Sequence, residues 1–263
     1  MTQENTILSA IEPELADKVA LGRREMFGKY AKAAGIMTSA PLVLALASNQ
    51  AFGQSLPKVI EDTLNFALTL EYLEDEFYKA GNAAANLIPA SDKTIFTQIG
   101  KHETQHVAFL VKALGTNAIK KPTFDFKYGG AFGDVFTNYK TFVTVSSALE
   151  DTGVRAYKGQ ATALKADPAI LEYALQVHSV EARHAAIARR LAATVTGNPA
   201  MKGWITGKEG AVPAIYAGEE NMMQGGKDLK GLASKSDAAI TEAFDEPLTK
   251  EAVLAIAGPF IKA

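Results

Sequence analysis

Downstream of Gln54 the apolar positions fall at helical spacing. Leu56, Val59, Ile60, Thr63, Leu64, Ala67, Leu70 and Leu73 form one stripe running toward Gly81, which predicts an amphipathic helix. Ser91 is the expected N-cap of a second helix that continues to Leu114 and stops at Gly115. A third is expected from about Asp134 to Lys165. Asp167-Pro168, a cap followed by a first-turn proline, opens a fourth that ends at Gly197-Asn198-Pro199. The connection from Gly115 to Gly133, with Lys121-Pro122 and Gly129-Gly130, is much longer than the turn inside either pair. Short, long, short connections describe two antiparallel hairpins joined by a crossover, the plan of an all-α four-helix bundle over residues 54–197. From Pro199 onward glycines recur and only two short helical patterns appear, near Asp237 to Phe244 and Thr249 to Ile256. Residues 198–263 therefore read as an extension packed on the bundle.

The N-terminal segment follows another logic. No charged side chain occurs from Ala33 to Pro57, and the apolar stretch from about Ile36 to Phe52 lies just after Arg23, Arg24, Lys29 and Lys32. Basic then apolar is the order of a secretory signal. Gly35, Pro41, Ser48, Asn49 and Gln50 interrupt the stretch, whereas a membrane span needs about 20 predominantly apolar residues, so no stable span is expected in the mature protein. Arg23-Arg24, followed by Phe27 and Lys29, resembles the twin-arginine export signal, with Gly22 where Ser or Thr is usual and the Phe one residue late. Residues 1–53 are expected to be a removable signal, with the twin-arginine machinery as partner and the periplasm as destination. If the leader is not a signal, the cytoplasm is expected instead.

Composition narrows the chemistry. With 48% hydrophobic and 21% charged residues the chain is globular, and its net charge of -2 gives no basic footprint for nucleic acid or an anionic membrane. The absence of cysteine removes disulfides, thiolate metal sites and thiol nucleophiles together. Any metal must be held by Asp, Glu and the four His.

Those residues recur in a pattern. Glu71 is followed seven residues later by Tyr78, and Glu150 by Tyr157. Each glutamate is followed, just over thirty residues on, by a Glu-x-x-His motif, Glu103 to His106 and Glu181 to His184. Glu and His three apart share one side of a helix and can meet a single ion. About 0.3 chance matches are expected at this composition, so two in matching helical contexts form a signal. Glu71 and Glu150 sit in apolar surroundings, Ala67-Leu68-Thr69-Leu70 and Ser146-Ser147-Ala148-Leu149, where a lone carboxylate would cost several kcal/mol. Two dications neutralise four carboxylates in formal charge. Tyr78 and Tyr157, two turns beyond Glu71 and Glu150, can bond ligand carboxylates or relay an electron. Asp75 can accept a proton from a ligand imidazole. Glu74, Glu76, Asp151 and Arg183 read as members of solvated faces, and His102 and His178 as ordinary histidines outside the motifs.

On these residues the chain, from about Leu56 to Thr196, resembles the ferritin-like superfamily of dinuclear carboxylate proteins. The leader and the segments Phe244-Asp245-Glu246-Pro247-Leu248-Thr249 and Ala257-Gly258-Pro259-Phe260 look closest to the ferritin-like family that includes desiccation-related proteins. It departs from rubrerythrins, having no cysteine. The resemblance implies an up-down-down-up bundle and a metal centre of two Fe or Mn ions held by Glu71, Glu103, His106, Glu150, Glu181 and His184. Either Glu103 with Glu150 or Glu103 with Glu181 would bridge. It further implies oxygen or peroxide as substrate, through Fe(II) oxidation or peroxide disposal. A non-catalytic stress protein with a structural site, metal storage and a homo-oligomer are also compatible with it.

Overall fold

A computed structural model describes residues 56–209 and 213–262. The expected leader, with Arg23 and Arg24, lies outside the described residues. Four long helices follow: α1 (Lys58–Ala83), α2 (Lys93–Leu114), α3 (Tyr139–Gln160) and α4 (Pro168–Thr196). The start and stop of α4 are those expected. Asp167 accepts from the Ala169 and Ile170 amides, and Gly197 ends the helix at φ 68°.

Two starts differ from expectation. α2 begins at Lys93 rather than at a Ser91 cap, because the Pro89 carbonyl already takes the Asp92 and Lys93 amides. α3 begins at Tyr139 rather than near Asp134, because Asn138 caps the Lys140 and Thr141 amides while Asp134 accepts from Asn138 Nδ2.

α1 packs on α2 and α3 on α4 as two antiparallel hairpins, linked by the crossover. Between hairpins, Gly81 meets Phe142, Tyr78 meets Ser146, Glu74 meets Gly153 and Tyr157 meets Glu71. As one number rises the other falls, so α1 and α3 are antiparallel and the order is up-down-down-up. The approach is close. A methyl group at Gly81 would lie 2.2 Å from Phe142 Cε2, so glycine leaves room for the Phe142 ring, which stacks on Phe77 at 5.0 Å between centroids and meets Phe96 edge-on at 4.9 Å.

The extension covers the back of α3. Two short helices, α5 (Asp237–Thr241) and α6 (Lys250–Ala257), are capped by Ser236 and Thr249. The hairpin β2 (Met223–Gln224) with β3 (Lys227–Asp228) precedes them, and β4 (Ile261–Lys262) pairs antiparallel with β1 (Thr123–Phe124) of the crossover. Ile205, Ile215 and Tyr216 pack on Ala148. This makes α3 buried on all sides from Phe142 to Ala156 rather than amphipathic. Arg155, wholly buried, donates from Nε to the Glu246 carbonyl at 2.7 Å, from its two terminal nitrogens to the Ile215 and Ala217 carbonyls, and pairs with Glu219 at 2.8 Å. No helix among the described residues is long and apolar enough to cross a membrane.

Candidate metal centre

The repeat converges at mid-bundle. Glu71 from α1, Glu103 and His106 from α2, Glu150 from α3, and Glu181 and His184 from α4 meet there, and all four glutamates are fully buried. The i, i+3 spacing aims each Glu-x-x-His pair inward, so His106 Nδ1 lies 3.2 Å from Glu103 and His184 Nδ1 3.1 Å from Glu181.

Each imidazole nitrogen stands among three carboxylates. His106 Nδ1 is 3.2 Å from Glu71 Oε2, 3.2 Å from Glu103 Oε2 and 3.0 Å from Glu181 Oε1. His184 Nδ1 is 2.9 Å from Glu103 Oε1, 3.3 Å from Glu150 Oε2 and 3.1 Å from Glu181 Oε2. Glu103 and Glu181 thus give one oxygen to each group, whereas Glu71 and Glu150 belong to one group each. Of the two bridging pairs the sequence left open, this geometry favours Glu103 with Glu181.

The free oxygens of the outer glutamates are held crosswise. Tyr157 donates to Glu71 Oε1, and Tyr78 donates to Glu150 Oε1 while sharing a 2.7 Å bond with Ser146. Each tyrosine serves the glutamate of the other hairpin. Burial and the neighbouring glutamate charges, Glu150 for Tyr78 and Glu71 for Tyr157, push both phenols well above their usual range, so they stay neutral donors.

Asp75 does not take the role expected of it. Its oxygens accept from Thr104 at 2.7 Å and Lys79 at 2.5 Å, so it braces α1 against α2. The imidazole partner is His102, whose Nδ1 lies 2.8 Å from His184 Nε2, with the Gln98 side-chain amide 2.7 Å from His102 Nε2. With Nδ1 of His184 turned to the carboxylates, its Nε2–H donates to His102, which fixes the ring. The signal available was that His102 adjoins Glu103 on a helix facing α4. Two further residues depart from the solvated-face reading. Glu74 and Asp151 are buried, Asp151 accepting from Arg189 at 2.9 Å and Tyr216 at 2.7 Å. Glu76 pairs with Lys121 at the surface and Arg183 is exposed. His178 stands outside the cluster.

A cation fits this donor set. Glu71 Oε2, Glu103 Oε1, Glu150 Oε2 and Glu181 Oε1 are buried, and their nearest partners are imidazole nitrogens at 2.9–3.3 Å. Such oxygens need a positive partner. Four carboxylates with two imidazoles suit Fe(II) or Mn(II) by softness.

Without metal, protons take that place. Burial opposes charge on both histidines, but Glu150, Glu103 and Glu181 push His184 up to about 12, and Glu71, Glu103 and Glu181 push His106 upward as well. Burial and Glu181 raise Glu103, while bonds from His106 and His184 outweigh burial and hold Glu181 down at about 2. A ligating nitrogen must be unprotonated, so uptake near neutral pH has to expel the imidazolium protons and affinity rises with pH. Calorimetric Mn(II) titration of the metal-stripped protein, in buffers of different ionisation enthalpy, is expected to report release of more than about two protons per chain, those of the two imidazoliums and that of Glu103. Heats independent of the buffer would contradict this.

A family model described as a ferritin-like domain matches residues 61–194, just over half of the chain, from the first turn of α1 to the end of α4. No curated protein matches the chain.

Proposed function

The chain belongs to the ferritin-like domain family, and from that premise we propose that it is a dinuclear redox protein, holding two iron or manganese ions and acting on oxygen or peroxide. What carries the reading is the sharing of Glu103 and Glu181, each of which supplies one oxygen to each imidazole-centred group. Bound there, the pair of ions would supply one-electron chemistry at two adjacent centres.

The residues divide the remaining work. Glu103 and Glu181 set the spacing of the two positions, Glu71 and Glu150 close the outer sides, and His106 and His184 supply the nitrogen donors. Tyr157 and Tyr78 keep the outer carboxylates from rotating, and His102 keeps His184 in its metal-facing tautomer. The buried aromatic cluster of Phe77, Phe96 and Phe142 excludes bulk water from one end of the bundle.

Elemental analysis of natively loaded protein is expected to give about two Fe or Mn per chain, and none in His106→Ala/His184→Ala. Turnover of Fe(II) with oxygen, or of peroxide, then separates a redox protein from a structural site. Metal bound in full without turnover would place the protein in the stress-related, non-catalytic class.

We also propose an exported location, supported by Arg23-Arg24 ahead of the uncharged apolar stretch. Twin-arginine substrates cross folded, so the metal would be chosen in the cytoplasm. Arg23→Lys/Arg24→Lys is expected to leave precursor in the cytoplasmic fraction, and unchanged export would contradict the signal.

A further inference from the structure

Ser147 carries a buried hydroxyl without a partner. The residue is 2% exposed, and no hydrogen bond among the described residues reaches its Oγ. Its neighbours on α3 divide by face. Ser146 and Glu150 meet Tyr78 on the side of the metal centre, whereas Thr144, Ser147 and Asp151 follow one another at helical spacing on a second stripe, where Tyr216 of the extension bonds Asp151. Ser147 there lines a cavity of about 190 Å³ between the first turns of α3, the last turns of α4 and the extension. That space equals about six waters by liquid volume. An unpaired hydroxyl in the wall of such a cavity calls for a polar occupant.

The wall accepts more than it donates. Thr196 gives its hydroxyl proton to the Ala192 carbonyl at 2.6 Å and Tyr216 gives its own to Asp151 at 2.7 Å, so both have only lone pairs left to offer. Glu209 adds a carboxylate. Asn198 accepts the Ala200 amide at 3.1 Å, which leaves its NH2 as the one fixed side-chain donor among the described residues of the wall. Charge points the same way. Arg189, 1% exposed, serves two carboxylates, Asp151 at 2.9 Å and Glu209 at 3.3 Å. Lys202 and Lys208, which flank Glu209 in this part of the chain, are paired with Glu242 and Glu220. One carboxylate charge beside the cavity therefore lacks a cation of its own.

We propose that this cavity binds a small amino alcohol in its ammonium form, with the ammonium on Glu209 and the carbon stem along Ala192 and Met201. A primary ammonium has three donors and no acceptor, which suits a wall of oxygens, and the hydroxyl of the ligand gives Ser147 the partner it lacks. A bare monovalent ion satisfies the charge but leaves most of the space unfilled. The site is separate from the dinuclear reading, since none of its lining residues belongs to the two metal-holding groups.

The test uses the mature, metal-loaded chain and two probes, aminobutanol and butanediol, the second having a hydroxyl in place of the ammonium. Ligand-detected NMR titration at neutral pH and fixed potassium chloride is expected to show saturable binding of aminobutanol, with butanediol at least about tenfold weaker for want of the charged hydrogen bond. Glu209→Gln is expected to weaken aminobutanol by about tenfold and leave butanediol unchanged, while Arg189 keeps Asp151 and the Lys202 carbonyl. Ser147→Ala is expected to weaken both probes by about threefold, with thermal stability and metal content as in wild type, because the empty protein loses no bond. Equal binding of the two probes would overturn the ammonium ligand. No saturable binding of either, or variants that bind aminobutanol as wild type does, would overturn the site.

Discussion

Glu103→Gln is expected to empty both metal positions at once, whereas Glu71→Gln should weaken only the position around His106. The difference follows from connectivity. Glu103 places Oε2 beside His106 and Oε1 beside His184, but Glu71 faces His106 alone. A neutral amide gives up the anionic donor to both ions, and each would then be held by two carboxylates in place of three. Loss of supporting groups around a metal already costs about 10- to 100-fold in affinity, and loss of a direct, shared ligand should exceed that for each ion. Metal-to-protein ratios after gel filtration at micromolar protein are expected to fall from about two to near zero in Glu103→Gln and to about one in Glu71→Gln. Equal losses in the two variants would contradict the bridging assignment. The metal-free protein should respond differently. Burial and Glu181 favour the neutral form of Glu103, which glutamine resembles, so thermal stability without metal should change little.

Arg155→Met should be the most destabilising single change outside the centre. The substitution leaves Glu219, 1% exposed, as an unpaired buried charge, and deprives the Ile215, Ala217 and Glu246 carbonyls of their donor. Breaking a buried pair from one side costs about 3–5 kcal/mol. For a domain of this size that lowers Tm by about 10 °C. The damage should begin in the extension, so limited proteolysis is expected to cut between β2 and α5 before it cuts α1 to α4. Adding Glu219→Gln should recover part of the loss, because the orphaned charge is then gone. A double variant no more stable than Arg155→Met would show that the carbonyl bonds, rather than the ion pair, hold the extension.

The bundle was legible because its signals are local. Helical spacing, the Asp167-Pro168 start and the Gly197 stop each act within a turn or two, and the repeat placed Glu71, Glu103, His106, Glu150, Glu181 and His184 in register without knowledge of contacts. Residues misread from sequence depend on what packs across from them. Asp151 is buried because the extension covers the back of α3, which no period within α3 reveals. Asp75 points toward Thr104 and Lys79, so the imidazole partner came from His102 on the neighbouring helix instead. Glu74 had a signal that composition hides. It lies on the same stripe as Glu71, three residues on, and its repeat partner is the glycine that makes room for it.

Anomalous diffraction from crystals of the mature protein loaded with Mn(II) or Fe(II), collected on both sides of the metal absorption edge, tests the dinuclear claim most directly. Two peaks are expected about 3.5–4 Å apart, one against His106 Nδ1 and one against His184 Nδ1, with Glu103 and Glu181 each touching both. A single peak, or none within reach of the six residues, would contradict the account.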